Sequence, residues 1–145
     1  MNLCGIQMQP SKQDYVNSAR NWLGVRWVHQ GRSRNGLDCV GLILVAARDL
    51  GLEIPDMPGY RRTPDPQKFI GHIFANSNPE TETVPGHFGV FRDGTQPCHA
   101  GIFAEKNGVT TLIHAYAGTG IVMEEPFIHD WPRRLFAIRS IKDLV

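Results

Sequence analysis

The chain has 145 residues, of which 41% are apolar and 20% charged, and its formal net charge is +1. This length and balance predict one folded domain over residues 1–145 and exclude a disordered chain. The near-zero charge gives no basis for a nucleic-acid partner, and no apolar run approaches the roughly 18 residues of a membrane span.

The first half of the chain has helical periodicity. Residues 1–10 come before it, and we expect them to form a flexible tail without a signal peptide, because no basic segment precedes an apolar run. Three segments then repeat apolar residues at helical spacing, each with a capping residue before it or a glycine after it. The three helices are predicted after Ser11 up to Gly24, from Cys39 to Gly51, and from Pro66 through Phe74.

In the second half the period changes to that of β-strands. Short runs of β-forming residues alternate with turn-forming pairs such as Asn107-Gly108. The predicted strands lie at about 86–92, 99–104, 109–116, 120–124 and 135–141. Helices followed by an antiparallel meander indicate an α+β fold, in which N-terminal helices pack on a five- to six-stranded antiparallel sheet.

Cys39 is the candidate nucleophile because it begins a predicted helix. A helix N-terminus carries partial positive charge, which favours the thiolate over the thiol. The simpler interpretation is that Cys39 is a small buried apolar residue, and that Asp38 before it is only an N-cap. A nucleophilic role requires a base within hydrogen-bonding distance.

His99 and His114 lie on neighbouring predicted strands and are candidates for that base and its partner. The intervening Asn107-Gly108 pair is typical of a two-residue hairpin loop, which would make the histidines diagonal neighbours within about 7–8 Å. A four-residue loop would put them directly opposite each other, and a three-residue loop would separate their faces. Either shared-face register gives a Cys–His–His set if the Cys39 helix crosses that face.

A zinc site is the other chemical interpretation of these residues. Cys39, Cys98, His99 and His114 are all zinc-binding residue types. Because adjacent strand residues point to opposite faces, Cys98 and His99 cannot easily bind one ion. We therefore expect no metal at these residues.

Five short motifs resemble, in order, those of the NlpC family of bacterial cell-wall cysteine peptidases, which belongs to the papain-like superfamily. They are Trp27-Val28-His29-Gln30-Gly31, Asp38-Cys39-Val40-Gly41-Leu42, Pro85-Gly86-His87, His99-Ala100-Gly101-Ile102-Phe103 and Ile113-His114-Ala115. The order and approximate spacing agree over residues 15–141. The resemblance implies a single papain-like domain that hydrolyses peptidoglycan stem peptides at D-γ-glutamyl–diamino acid bonds.

The resemblance also implies a role for each site residue. Cys39 would be the nucleophile, His99 the base and His114 the group that orients the base. The oxyanion and substrate would be bound by the start of the Cys39 helix with Asp38, and by Trp27. No cofactor is implied.

Three positions depart from the family pattern. Val40 stands where a serine is usual, Trp27 where a tyrosine is frequent, and His87 where an aspartate closes the Pro-Gly motif. These changes remove a hydroxyl and a phenol that could contact substrate. They bear on substrate binding more than on the chemistry.

The chain is similar to phage-encoded members of the family, because it is short and has an Asp-Cys-Val-Gly box with His-Gln-Gly-Arg-Ser-Arg upstream. We therefore expect synthesis in the cytoplasm and action at the bacterial cell wall, with phage tail proteins as further partners. The alternative is a structural tail-tip or assembly protein with a weak or vestigial site. A second alternative is a transferase on the same scaffold, which would move an acyl group to an amine or a lipid and would need a groove for that acceptor. The sequence shows no amphipathic element that would bind a membrane.

Overall fold

The computed structural model describes residues 8–57, 59–61 and 65–145. Most of the predicted tail, residues 1–7, lies outside these ranges. At the end of that segment, the carbonyl of Pro10 accepts a hydrogen bond of 3.0 Å from the N–H of Val145. The two ends of the described chain therefore lie side by side.

The predicted helices form where their caps indicated. Helix α1 spans Lys12–Arg20 behind a capping box at Ser11, α2 spans Cys39–Arg48 with Asp38 as its N-cap, and α3 spans Pro66–Ala75 with Asp65 as its N-cap. An oxygen at each cap accepts backbone N–H groups that have no partner within the helix. A short fourth helix, α4, covers Asp130–Arg134 and was not predicted.

The main sheet has six antiparallel strands, which confirms the α+β class. Their order across the sheet is β3-β8-β4-β5-β6-β7. The strands span Ser77–Glu80 (β3), His87–Asp93 (β4), Gln96–Lys106 (β5), Val109–Tyr116 (β6), Ile121–Pro126 (β7) and Leu135–Ile141 (β8). Two further short strands, β1 at Arg32–Ser33 and β2 at Gly36–Leu37, form a separate ribbon.

The β5–β6 hairpin has the two-residue loop that the sequence predicted. Lys106 pairs with Val109, and the loop residues Asn107 and Gly108 have φ angles of 54° and 78°. Positive φ at both loop positions is the type I′ geometry that matches the twist of a hairpin. This register is the one in which His99 and His114 are diagonal neighbours.

Helix α2 is the centre of the core. Seven of its ten residues are buried, and it packs against β5 and β6 on one side and α1 on the other. Two polar side chains of α1 bind carbonyls of α2: Tyr15 donates to Ile43 at 2.9 Å and Ser18 donates to Ala46 at 2.7 Å. Within the described part of the chain, no helix is long and apolar enough to cross a bilayer.

Candidate active site

Asp38 holds the start of α2 through a fully occupied carboxylate. Its two oxygens accept the N–H of Gly41 at 2.8 Å, the N–H of Gln30 at 2.8 Å, the guanidinium of Arg32 at 2.9 Å and the hydroxyl of Tyr60. Asp38 is itself buried. The residue before Cys39 is thus held by four hydrogen bonds from protein donors.

Arg32 joins this helix start to the loop after α2. Its guanidinium contacts Asp38, forms two hydrogen bonds of 3.0 and 3.1 Å with Asp56, and donates to Tyr60 at 2.7 Å. We call Arg32, Asp38, Asp56 and Tyr60 the Arg32 clamp. Gly41 lies under it, where a Cβ would come within 2.2 Å of the Gly31 carbonyl oxygen, so only glycine allows this close approach.

His99 and His114 form a hydrogen-bonded pair. The Nε2 of His99 lies 2.8 Å from the Nδ1 of His114. His99 is 7% exposed and His114 is completely buried. Behind the pair, the Nε2 of His114 lies 2.7 Å from a carboxylate oxygen of Glu125 on β7. Because its Nε2 is engaged, His99 has Nδ1 left for a further partner.

Aromatic rings enclose the pair. Trp131 of α4 packs edge-on against His114 with ring centres 4.8 Å apart, and Tyr116 stacks on His114 at 5.5 Å. Phe91 contacts His99 from β4 at 6.1 Å. These contacts restrict both imidazoles to one orientation.

Cys39 and His99 line the same cleft, which has a volume of about 230 Å³. The cleft runs between the start of α2 and the ends of β5 and β6. Predicted site residues Asp38 and Trp27 also line it, together with Val40. His114 is not part of the lining because it lies behind His99.

Cys39 has a weakly acidic thiol in this environment. The residue is partly exposed to the cleft, but protein atoms surround its sulfur. This burial, together with the negative charge of Asp38, raises the pKa of Cys39 to about 12. Hydrogen bonds from the backbone N–H groups of Ala100 and Val40 oppose this rise without cancelling it. Burial of the Cys39 thiol thus acts against the partial positive charge of the helix N-terminus, which favours the thiolate.

His99 is neutral in the same environment. Burial lowers the pKa of His99 well below 6.5, and the charges of His114 and Arg134 lower it further. Burial also lowers the pKa of His114, against the hydrogen bond and charge of Glu125, which raise it. These shifts favour a neutral thiol and a neutral imidazole in the cleft.

Comparison with known protein families identifies the family to which a chain with this cleft and histidine pair belongs. The model of the NlpC/P60 family matches residues 24–140, which includes the cleft and both histidines.

The chain belongs to the NlpC/P60 family.

A relative of known activity covers most of the chain. The murein DD-endopeptidase MepS/murein LD-carboxypeptidase of Escherichia coli strain K12 is 28% identical over 151 aligned residues, which span 92% of this chain and 72% of that protein. Family membership and this relative support an NlpC/P60 enzyme of the cysteine peptidase or amidase type, as the sequence predicted.

Solved structures show the same fold. An NlpC/P60 protein from Bacillus cereus superposes with a TM-score of 0.71 at 17% identity, covering 92% of this chain and 41% of its own. A lipoprotein-like NLP/P60 protein from Staphylococcus aureus gives 0.67 at 18%, covering 97% and 45%. The NlpC/p60 domain of the peptidoglycan hydrolase SagA gives 0.64 at 17%, covering 90% and 99%. The chain thus spans under half of the first two proteins, and the predicted papain-like fold is confirmed.

The three departures from the NlpC/P60 pattern have structural explanations. Val40 is buried between the cleft and the core. The phenol missing at Trp27 has a counterpart, because Tyr60 from the loop after α2 lines the cleft. His87 does not line it: its Nδ1 lies 2.7 Å from the Glu82 carbonyl and its ring is buried against the sheet.

Several cleft residues of this NlpC/P60 domain were not predicted. His29 packs edge-on against Tyr60 at 5.5 Å, and Arg134 of α4 lines the far side of the cleft. Glu125, behind His114, was missed as well. The segments that carry these three residues have no apolar pattern that would place them at the site. Only the tertiary structure brings them there.

Metal binding has no side-chain basis in the ranges that the structure describes. No group of three or more histidine, cysteine, aspartate or glutamate side chains there converges as metal ligands would. Instead, one ring nitrogen of His99 is hydrogen-bonded to one ring nitrogen of His114. The described site contains a hydrogen-bonded histidine pair whose member His99 lines the same cleft as the Cys39 thiol.

Proposed function

We propose that this protein is a cysteine peptidase that hydrolyses amide bonds in peptidoglycan stem peptides. The observation that carries the proposal is the 2.8 Å hydrogen bond between His99 and His114, with His99 lining the cleft that holds Cys39. A thiol with an adjacent oriented imidazole is the arrangement that nucleophilic acyl transfer requires. The murein-cleaving relative from E. coli supports peptidoglycan as the substrate class.

In the first step, the Nδ1 of His99 accepts the proton of Cys39 as the sulfur attacks the substrate carbonyl carbon. The raised pKa of Cys39 and the lowered pKa of His99 favour a proton transfer that accompanies the attack. His114 holds the His99 ring and accepts a hydrogen bond from its Nε2–H. The product of the step is a tetrahedral oxyanion beside an imidazolium.

Backbone N–H groups at the start of α2, including that of Cys39, stabilise the oxyanion because no carbonyl within the helix occupies them. His99 then donates its proton to the leaving amine, which departs and leaves a thioester on Cys39. A water molecule, deprotonated by His99, attacks the thioester carbonyl carbon. The C–S bond then breaks, the carboxylic acid is released, and His99 returns its proton to the Cys39 sulfur. Asp38, whose oxygens are already occupied, acts by positioning the helix start.

The cleft suits a substrate with charges of both signs. Arg134 is fixed by a hydrogen bond of 2.7 Å from its Nε to the Arg92 carbonyl, and its guanidinium carbon lies 4.4 Å from the centre of the Trp131 ring. Asp93 lines the same cleft. Stem peptides present carboxylates and amines, which these side chains would bind, while Trp27 contacts the apolar parts.

The scissile bond has two candidates. Resemblance to the NlpC family favours the D-γ-glutamyl–diamino acid bond. The E. coli relative is named for DD-endopeptidase and LD-carboxypeptidase activities, and its match over 92% of this chain favours those bonds as the second candidate.

The Asp-Cys-Val-Gly box resembles that of phage-encoded family members and supports a proposal about origin and site of action. We propose that the protein is phage- or prophage-derived, is made in the cytoplasm and acts at the bacterial cell wall, with phage tail proteins as partners. The structural tail-tip alternative requires no cleavage at all, so an activity assay separates the two.

Mass spectrometry of fragments released from defined peptidoglycan tests the proposal. Wild-type protein should release fragments whose new termini identify the bond, and Cys39→Ala should release none while keeping its fold by circular dichroism. Fragments from Cys39→Ala at the wild-type rate would refute the nucleophile, and a wild-type protein that cleaves no peptidoglycan would refute the function.

A further inference from the structure

Glu125 completes a continuous hydrogen-bonded chain behind the cleft. The Nε2 of His99 meets the Nδ1 of His114 at 2.8 Å, and the Nε2 of His114 meets the Glu125 carboxylate at 2.7 Å. Both contacts run diagonally between adjacent antiparallel strands, since Leu112 rather than His114 pairs with Glu125. We propose that Glu125 is a positioning residue that sets the direction of the protons in the histidine pair; the proposal rests on the function proposed above for Cys39 and His99.

The direction follows from what each group can donate. A carboxylate only accepts hydrogen bonds, so the Nε2 of His114 must carry its proton and donate it to Glu125. A neutral imidazole has one N–H, so the Nδ1 of His114 must be an acceptor. The Nε2 of His99 must then carry the proton of His99. Its Nδ1 is left as a bare lone pair, which is the form that can accept the proton of Cys39.

Without Glu125, the hydrogen bond between the two rings could equally well run in the opposite direction, from His114 to His99. His114 could carry its proton on Nδ1 and donate it to the Nε2 of His99. The proton of His99 would then lie on Nδ1, and no lone pair would face the thiol. Glu125 therefore selects the productive one of two tautomeric arrangements, and its negative charge stabilises the imidazolium that forms when His99 accepts a proton.

The other groups around the pair do not select a tautomer. Arg134 is the nearby cation, and its charge lowers the pKa of both histidines without favouring either nitrogen. Tyr116 and Trp131 contact the rings through their faces and edges. Among the described residues, the hydrogen-bonding partners of the His114 ring are His99 and Glu125.

Burial makes this selection effective. His114 is completely buried, while the Glu125 side chain is 27% exposed and reaches the ring from the edge of the sheet. Because His114 is buried, bulk water does not reach its ring nitrogens and cannot readily exchange the two tautomers. A substitution at the partly exposed position of Glu125 changes this contact with little disturbance of the core.

Nitrogen-15 NMR of the imidazole rings tests the proposal without relying on activity. In the wild type at pH 7.5, both His99 and His114 should show a protonated Nε2 and an unprotonated Nδ1. Glu125→Gln, whose amide can donate as well as accept, should give a mixture of tautomers in both rings, and Glu125→Ala serves as a second variant. Glu105→Gln is the matched control, because Glu105 is an exposed carboxylate on β5 and its loss should leave the tautomers unchanged.

Kinetics with a peptidoglycan fragment give the second measurement. Glu125→Gln should lower kcat by about 10- to 100-fold, the effect of a charge-assisted hydrogen bond, with little change in KM. A wild type with protonated Nδ1 in His99, or a Glu125→Gln variant with wild-type tautomers and kcat, would overturn the proposal. A wild-type protein that cleaves nothing yet has the expected tautomers would refute the proposed function while supporting the positioning role of Glu125.

Discussion

Cys39 and His99 line one cleft, and burial shifts the pKa of each group in the direction that favours its neutral form. Burial raises the pKa of the Cys39 thiol to about 12 and lowers the pKa of His99 well below 6.5. Both pKa shifts disfavour a preformed thiolate–imidazolium pair. Under the proposed mechanism, activity requires a neutral His99 that accepts the Cys39 proton during the attack.

The pH profile of kcat/KM should reflect this. Because His99 must be unprotonated to act as the base, activity is lost as the pH falls through its lowered pKa. We expect kcat/KM to be nearly flat between about pH 6.5 and 8, with its acidic limb below 6.5. An acidic limb at or above 6.5 in a soluble-substrate assay would contradict the buried, neutral base.

The two candidate histidines could be predicted from the sequence, but the residues that hold the site in place could not. Asn107-Gly108 specifies a two-residue turn, so the diagonal relation of His99 and His114 follows from local chemistry. Glu125 joins them only because β7 pairs with β6, and Tyr60 reaches Asp38 from a loop without periodicity. Contacts between distant segments depend on the packing of the whole domain.

At the scale of elements, the Arg32 clamp connects the β1–β2 ribbon, the start of α2 and the loop after it. Its central carboxylate, Asp38, is 5% exposed on its side chain, and Arg32 is 21% exposed. A mostly buried ion pair of this kind leaves an uncompensated charge when one partner is removed. The clamp therefore bears on both stability and the position of Cys39.

Arg32→Ala should lower the free energy of unfolding by about 2 kcal/mol and reduce kcat/KM by about tenfold. Arg32→Lys should recover only part of both losses, because an ammonium cannot reproduce the bidentate contact with Asp56. Urea denaturation and hydrolysis rates provide the measurements. Arg48→Ala, an exposed cation at the other end of α2, is the control, and equal losses in both variants would argue against the clamp.

The long elements could be predicted, and the short ones could not. Cap residues and the helical period indicate α1, α2 and α3, and β-forming runs indicate five of the six main strands. Strand β3 has the sequence Ser-Asn-Pro-Glu, which lacks β-forming residues and pairs only because it lies along β8. The ribbon β1–β2 and helix α4 are likewise held by tertiary contacts.

At the scale of the whole molecule, α1 connects the helical layer to the far edge of the sheet. Arg20 forms hydrogen bonds of 3.0 and 2.9 Å with Glu124 on β7, and Thr111 donates to the same carboxylate at 2.6 Å. The Glu124 side chain is only 2% exposed. Burial alone would raise the pKa of Glu124, but these hydrogen bonds outweigh it and lower the pKa.

Arg20→Ala should destabilise the protein by about 1–3 kcal/mol at pH 7, because it leaves a buried carboxylate without its cation. A lowered pKa in the folded state gives stability that is complete above the unfolded value of 4.5 and is lost as the pH falls through the folded value. The difference between wild type and variant should thus shrink below pH 4.5. Arg133→Ala, which breaks an exposed ion pair, is the control and should change the unfolding free energy by under about 0.5 kcal/mol.

Two partly exposed cysteines in one cleft allow the central claim to be tested most directly. Cys39 and Cys98 both line the cleft that contains His99. The kcat/KM for peptidoglycan fragments should fall to background in Cys39→Ala and stay within about twofold of wild type in Cys98→Ala, since only Cys39 begins a helix with N–H groups for an oxyanion. Hydrolysis that survives in Cys39→Ala, or disappears in a folded Cys98→Ala, would contradict the assignment of Cys39 as the nucleophile.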